Sequence, residues 1–246
     1  MSRRRPETRI EDLIHAATSV FLEKGYRRAQ IADIAKLMGV APGTVYLYAE
    51  SKEALFDAVM RASASRETIK TLHVPIKSPA PDATLSFIQK ALSNESRIAS
   101  LEAALKAPHG SEVAVELEKI VRELYDKAAR SWLSLKLMER SALDWPELAG
   151  LWFGKYRLRI LQQLTRYFEM RMASGDLRRA PDPPAAARLV LEVIAAFAIH
   201  CRQHDPSPTR IDLAVAAATV VDAVVNAYAP RAKRQVQRGT KGTRKR

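Results

Sequence analysis

The chain has 246 residues, with 40 Lys and Arg against 27 Asp and Glu, a formal charge of +13. At 47% hydrophobic and 27% charged it can bury a proper core, and nine glycines with thirteen prolines exclude collagen-like and Gly-rich low-complexity classes. A lone Cys201 excludes an internal disulfide and suits a reducing compartment.

The body reads as helix after helix, with no convincing period-2 stretch. Over 10–24, Ile10, Leu13, Ile14, Ala17, Val20 and Phe21 form one apolar stripe, stopped by Gly25. Ile31, Ile34, Ala35 and Met38 give a helix of about two turns before Gly39. Pro42 suits a first helical position and opens a third short helix to about Tyr48. Ser51 caps a fourth, carried on by Lys52, Leu55, Phe56, Val59 and Met60. Pro79 and Pro81 mark a connector at 77–82 into a helix around 85–92, and 108–111 breaks the next one. A long amphipathic stretch over 112–143 reads as one helix or two. Pro146 opens a segment ending at Ser174 with Gly175 as its stop, Asp182-Pro183-Pro184 starts a helix to about Gln203, and a last helix spans about 210–229. No run reaches the length of uncharged apolar residues that a membrane span needs. The best attempt, 185–201, is interrupted by Arg188 and Glu192, and no apolar leader follows Met-Ser-Arg-Arg-Arg-Pro. The expectation is an all-α cytoplasmic protein without membrane contact.

The positive charge is unevenly spread. Residues 231–246 hold eight Lys or Arg and no acid, whereas residues 1–61 hold ten basic and eight acidic residues, three of the basic ones being Arg3, Arg4 and Arg5. We read 1–8 and 231–246 as disordered basic arms, either polyanion contacts or solubilising tails.

Residues 30–49 (QIADIAKLMGVAPGTVYLYA) have the grammar of a helix-turn-helix. Ala35 lets two helices approach, Gly39 supplies the turn, and Val40 and Val45 fill the gap between them. Gly43 lets main chain approach a DNA backbone, Thr44, Tyr46 and Tyr48 offer hydroxyls to phosphates, and Lys52 adds a charge at a helix N-terminus. Any αα-hairpin with a glycine turn has part of this pattern.

The longer string is more specific. AATSVFLEKGY (16–26), IADIAKLMGV (31–40), GTVYLY (43–48) and SKEALFDAV (51–59) resemble, in order and at family spacing, the N-terminal domain of the TetR/AcrR family of transcriptional regulators. The resemblance implies a three-helix DNA-binding domain over 7–67, with its third helix in the major groove. It puts the contacts on Pro42, Gly43, Thr44, Tyr46 and Tyr48, and the phosphate-binding lysine on Lys52. The family usually has Thr or Ser where this chain has Ala29-Gln30 and Ala41, and Phe where it has Ala49. Each lost hydroxyl is worth about 1 kcal/mol. Gln30, with Arg27 and Arg28 close by, is the expected substitute for the first.

In the second half, DWPELAGLWF (144–153) and YFEMRMASGDLR (167–178) resemble AefR-like C-terminal domains, implying a ligand-binding and dimerisation unit over 80–230. Helices at 185–203 and 211–228 are rich in Ala and Val around most of their circumference, which suits a bundle between two subunits or burial within one. Trp132, Trp152, Phe153, Tyr156 and Phe168 are candidates for an apolar effector pocket, or ordinary core. His200, Cys201, His204 and Asp205 supply too few ligands on one helix face, so no metal is expected. No cofactor loop or catalytic motif appears. The resemblance thus implies a homodimeric, ligand-responsive repressor on a pseudo-palindromic double-stranded DNA operator, nucleoid-associated when bound and without enzyme activity. A sequence-tolerant nucleoid-type DNA binder and a helical small-molecule binder with a vestigial helix-turn-helix are the alternatives.

Overall fold

The computed structural model of the chain describes residues 6–65, 67–107, 112–201 and 211–230. Arg3, Arg4 and Arg5 of the expected arm, the tail 231–246, and His204 and Asp205 lie outside them. Within them the fold is all-α. An isolated parallel bridge joins Ala49 to Ile76.

Helix α1 (Pro6–Arg28) begins inside the stretch expected as an arm, with proline at its first position. Gly25 interrupts it with φ 76° and ψ 172°, a conformation that an L side chain avoids. α2 (Ile31–Met38) ends on Gly39 in the left-handed region (φ 67°, ψ 34°), whose amide bonds back to the Lys36 carbonyl. α3 (Pro42–Tyr46) follows at once, and α4 (Lys52–Ala64) starts on Ser51, whose hydroxyl accepts from the Ala54 amide at 3.1 Å. Leu13, Phe21, Ile34, Leu55 and Phe56, all at most 1% exposed, close these helices around one core. Burying side chains of that size contributes about 1.5–3 kcal/mol each.

The connector after α5 (Glu67–Lys70) doubles back over this unit. Ile76 is buried in it, its amide donates to the Tyr48 carbonyl at 2.8 Å, and Glu50 accepts from the Lys77 ammonium and the Ser78 amide. Lys77 and that amide hold the Glu50 carboxyl below its ordinary pKa.

The larger unit comprises α6 (Ala83–Glu95), α7 (Ala99–Lys106), α8 (Val113–Arg130), α9 (Trp132–Ala142), α10 (Pro146–Ala149), α11 (Leu158–Ala173), α12 (Pro183–Ala195) and α13 (Leu213–Tyr228). The expected stretch 112–143 is two helices, broken at Ser131. Two wider, π-helical turns are set into otherwise continuous helix, Gly150–Arg157 between α10 and α11, and Ala196–His200 after α12. Pro183–His200 is an unbroken helix that by length and composition could cross a membrane, with a mean hydropathy of 1.3. The charges expected to break it pair instead, Arg188 with Glu192, and Glu192 with Arg157 at 2.6 Å. In this fold α12 packs on α11 and α8.

One charged group lies at the centre of this unit. Arg171 is fully buried and binds Glu116 through two nitrogens (2.8 and 2.9 Å), as well as the carbonyls of Ala104 and Ala107. Tyr167 donates to the same carboxylate at 3.0 Å. With four hydrogen bonds, the guanidinium ties α7, α8 and α11 together; removal of either partner would strand a buried charge.

Candidate nucleic-acid interface

The expected contact residues fall at the end of α1 (Arg27, Arg28), the N-cap of α2 (Gln30), along α3 and the turn after it (Ala41 to Tyr48) and at the start of α4 (Lys52). Gln30, Ala41, Pro42, Gly43 and Tyr46 are exposed, Tyr46 by 53%. A Cβ at Gly43 would meet nothing within 4 Å, so its backbone is open to an approaching surface. Val45, on the same helix, is buried and anchors α3 to the core. Ala41 caps α3 with no side-chain bond. The helix is shorter than expected: after Tyr46 the bonds tighten (Leu47 amide to Thr44 carbonyl, Tyr48 amide to Val45 carbonyl), and Tyr48 lies in the turn. Thr44 and Tyr48 face a groove of about 680 Å³ shared with Arg9, His15 and Leu37, where Arg9 donates to the Tyr48 hydroxyl at 3.4 Å. Sequence reading missed Arg9, and the i, i+3, i+4 pattern carried no signal for it.

At the start of α2 the expected Gln30 is the N-cap residue, and Asp33 joins it in a capping box. The Gln30 amide donates to the Asp33 carboxylate at 3.0 Å, and Lys24 donates to the same side chain at 2.6 Å. The hydrogen bond from Lys24 holds the Asp33 carboxyl below its usual range. Ala29 is 1% exposed, so a hydroxyl there would face the core.

Arg27, Arg28 and Lys52 meet at a seam with the larger unit. The Lys52 ammonium donates to the Arg27 carbonyl at 3.1 Å and sits 4.8 Å from the centre of the Tyr26 ring. Tyr26 donates to Glu53 at 2.8 Å and stacks on Trp145 at 4.7 Å, with Phe56 against both. Burial and the Glu53 hydrogen bond push the Tyr26 phenol well up, so it stays protonated as a donor. Arg140 clasps the Glu23 carbonyl with two nitrogens (2.6 and 3.0 Å). Arg28 reaches Asp144 at 3.3 Å, and that carboxylate, shielded from solvent, has no hydrogen-bond partner among the described residues. Trp145, Arg140 and Asp144 were not legible as partners of this site, because contacts across some hundred residues of sequence leave no local pattern.

The expected effector residues do not form one cluster. Trp152 is buried and stacks on Tyr156 at 5.2 Å; Phe168 packs on Tyr167 and Tyr228 elsewhere; Trp132 is half-buried and Phe153 is 45% exposed. Tyr156 lines a cavity of about 160 Å³ with Leu151, Leu92 and Ser93, below the roughly 300 Å³ of a drug-sized pocket. The Trp152 indole N–H is buried with no partner among the described residues. His200 meets Glu139 at 2.9 Å. Burial works to raise the Glu139 pKa, but the His200 bond and charge outweigh it and hold it low.

Comparison with known proteins follows this division. Residues 13–59 match the model of bacterial regulatory proteins of the tetR family, and residues 128–230 match that of the AefR-like transcriptional repressor C-terminal domain. A fatty acid metabolism regulator protein of Bacillus subtilis is 35% identical over 80 residues, covering 32% of this chain and 40% of that protein. An uncharacterised HTH-type regulator of the same species is 47% identical over 51 residues, 21% of this chain and 26% of its own. The chain thus spans less than half of either relative. A tetR-family regulatory protein from Rhodococcus RHA1 matches in structure at TM-score 0.50 and 19% identity, over 91% of this chain and 97% of that one. A ketosteroid transcriptional regulator of Mycobacterium tuberculosis matches at TM-score 0.53 and 12% identity, over 90% and 95%. With both of its units matched in order, the chain belongs to the TetR family of transcriptional regulators.

Proposed function

We propose that this chain is a ligand-responsive repressor that binds a pseudo-palindromic DNA operator as a homodimer and is released by an apolar or aromatic small molecule. The observation that carries the reading is the exposure of Gln30, Ala41, Pro42, Gly43 and Tyr46, at the N-cap of α2 and along α3, on an otherwise well-packed unit. Exposed backbone and hydroxyls at a short helix suit phosphate positioning and entry into the major groove. The outer faces of α12 and α13 support the dimer: Leu189, Leu213 and Val215 are 53%, 47% and 58% exposed. A second copy would cover such a face. Release by effector is a shift between two arrangements of the paired reading heads, driven by tighter effector binding to one of them.

The test is a selection of bound fragments from genomic DNA, repeated with candidate apolar ligands. One or a few enriched pseudo-palindromes, lost on ligand addition, are expected. Enrichment without sequence preference, with a steep salt dependence, would point instead to a nucleoid-type binder. On an enriched duplex, Tyr46→Phe and Lys52→Ala are each expected to weaken binding by about tenfold. Gel shifts showing unaltered affinity for both would remove these residues from the interface.

A further inference from the structure

The seam between the two units contains a residue that no contact with DNA would reveal. We propose that Trp145, in the larger unit, is a positioning residue for the DNA-contacting Lys52; the inference rests on the reading of Lys52 as a phosphate contact. A lysine at a protein surface is a point charge on a flexible four-carbon stem, and holding that stem beforehand lowers the entropy lost when it contacts a phosphate. Here two groups hold it. The Arg27 carbonyl takes one of the three ammonium donors at 3.1 Å, and the Tyr26 ring lies under the charge at 4.8 Å. The remaining donors are available to an incoming phosphate.

Tyr26 is in turn held at both ends. Its hydroxyl is fixed on Glu53, and its ring is stacked on Trp145 with an interplanar angle of 30°. Trp145 belongs to the short link between α9 and α10, and this link is fastened to the same end of α1. Arg140 grips the Glu23 carbonyl, Asp144 faces Arg28, and Gly25 sits against the Arg140 carbonyl. The stack therefore lies on a rigid footing built from both units. Replacing the indole by a small side chain removes the stacked support of the Tyr26 ring, leaving Phe56 against it at 4.7 Å, and loosens the perch of the ammonium. A shift of the link reaches Lys52 by the same route.

A double-mutant cycle on the full chain tests this, read by affinity for an enriched operator duplex across a salt series. Lys52→Ala is expected to lower affinity about tenfold and to make the log K against log salt slope shallower by about one. Trp145→Ala should reproduce the shallower slope, and the double variant should bind no more weakly than Lys52→Ala alone. Trp145→Phe, which keeps an aromatic face under Tyr26, should recover most of the slope. Additive losses with an unchanged slope in Trp145→Ala would make the tryptophan a filler of the seam and overturn the proposal, while the phosphate role of Lys52 would stand. If Lys52→Ala binds as the unaltered protein does, or no duplex is enriched, both readings fall. Should Trp145→Ala lose its helical circular dichroism, Tyr26→Leu takes its place in the cycle with the same expectations.

Discussion

Gly25 and Gly175 both have positive φ, 76° and 81°, but stand in different surroundings. A Cβ at Gly175 would meet nothing within 4 Å, whereas one at Gly25 would lie 3.1 Å from the Arg140 carbonyl oxygen and close to the Asp144 carboxylate. Gly175→Ala should therefore show the backbone cost alone, about 1 kcal/mol. Gly25→Ala should cost about 1–2 kcal/mol more, because ψ 172° puts its backbone in a region open essentially to glycine alone and the seam must open to admit the methyl group. Chemical denaturation of the two variants measures the difference, and equal midpoint shifts would deny the close approach of α1 to α9. The need for glycine at residue 25 was legible in the sequence as a helix stop. Its second reason, the carbonyl of residue 140, was not, since nothing near residue 25 encodes which distant backbone will approach.

Among the elements, the N-terminal helices follow their local signals closely. Pro42 at a first position, Ser51 as a cap and Gly39 as a left-handed stop are short-range chemistry, and each sits where the residue type says it should. The cap of α2 shows where that reading was incomplete. Gln30 is the expected substitute for a lost hydroxyl, and the α2 start is a capping box in which the Asp33 carboxylate also reaches back to the Gln30 amide. Asp33→Ala should cost about 1 kcal/mol at neutral pH. The pH dependence has a definite sign. A carboxyl held below its unfolded pKa stabilises the fold above that pKa, and the contribution disappears as pH falls through the folded value. The loss caused by Asp33→Ala should thus be full near pH 7 and vanish under acid conditions; thermal melts across pH check it. A penalty that persists at low pH would assign the effect to packing. Farther along, the π-helical turn at Gly150–Arg157 defeats a 3.6-residue reading: a wider turn moves the buried face from Leu148, Leu151 and Trp152 to Ile160 and Leu164, and leaves Phe153 and Leu158 exposed. Phe153 is thus set on a different face from its neighbour Trp152.

For the whole molecule, the open question of the sequence was what the Ala/Val-rich final helices pack against. Half of the answer lies within the chain. Ala187, Val190, Ile194, Val220 and Val224 are buried in the monomer, while Leu189, Leu213 and Val215 are left outside. The proposed dimer uses that remaining face. Leu189→Lys with Val215→Lys is expected to change sedimentation at micromolar concentration from a particle of twice 27.4 kDa to one of 27.4 kDa, with loss of operator binding and little change in helicity. An unaltered protein that already sediments at 27.4 kDa would refute the dimer. The buried Arg171–Glu116 network favours a single rigid larger unit, since three helices share one guanidinium.

The clasp of Arg140 on the Glu23 carbonyl also bears on how this protein could be re-engineered. Regulators with paired units invite transplantation, the reading head of one joined to the sensor of another at the linker. Here a graft cut near residue 66 would carry α1 to α4 away from Arg140, Asp144 and Trp145, and leave behind Ile76, which plugs the head's own core. A functional graft would have to extend through the connector and import the α9–α10 link as well. The natural unit of exchange is not the unit that the sequence boundary suggests.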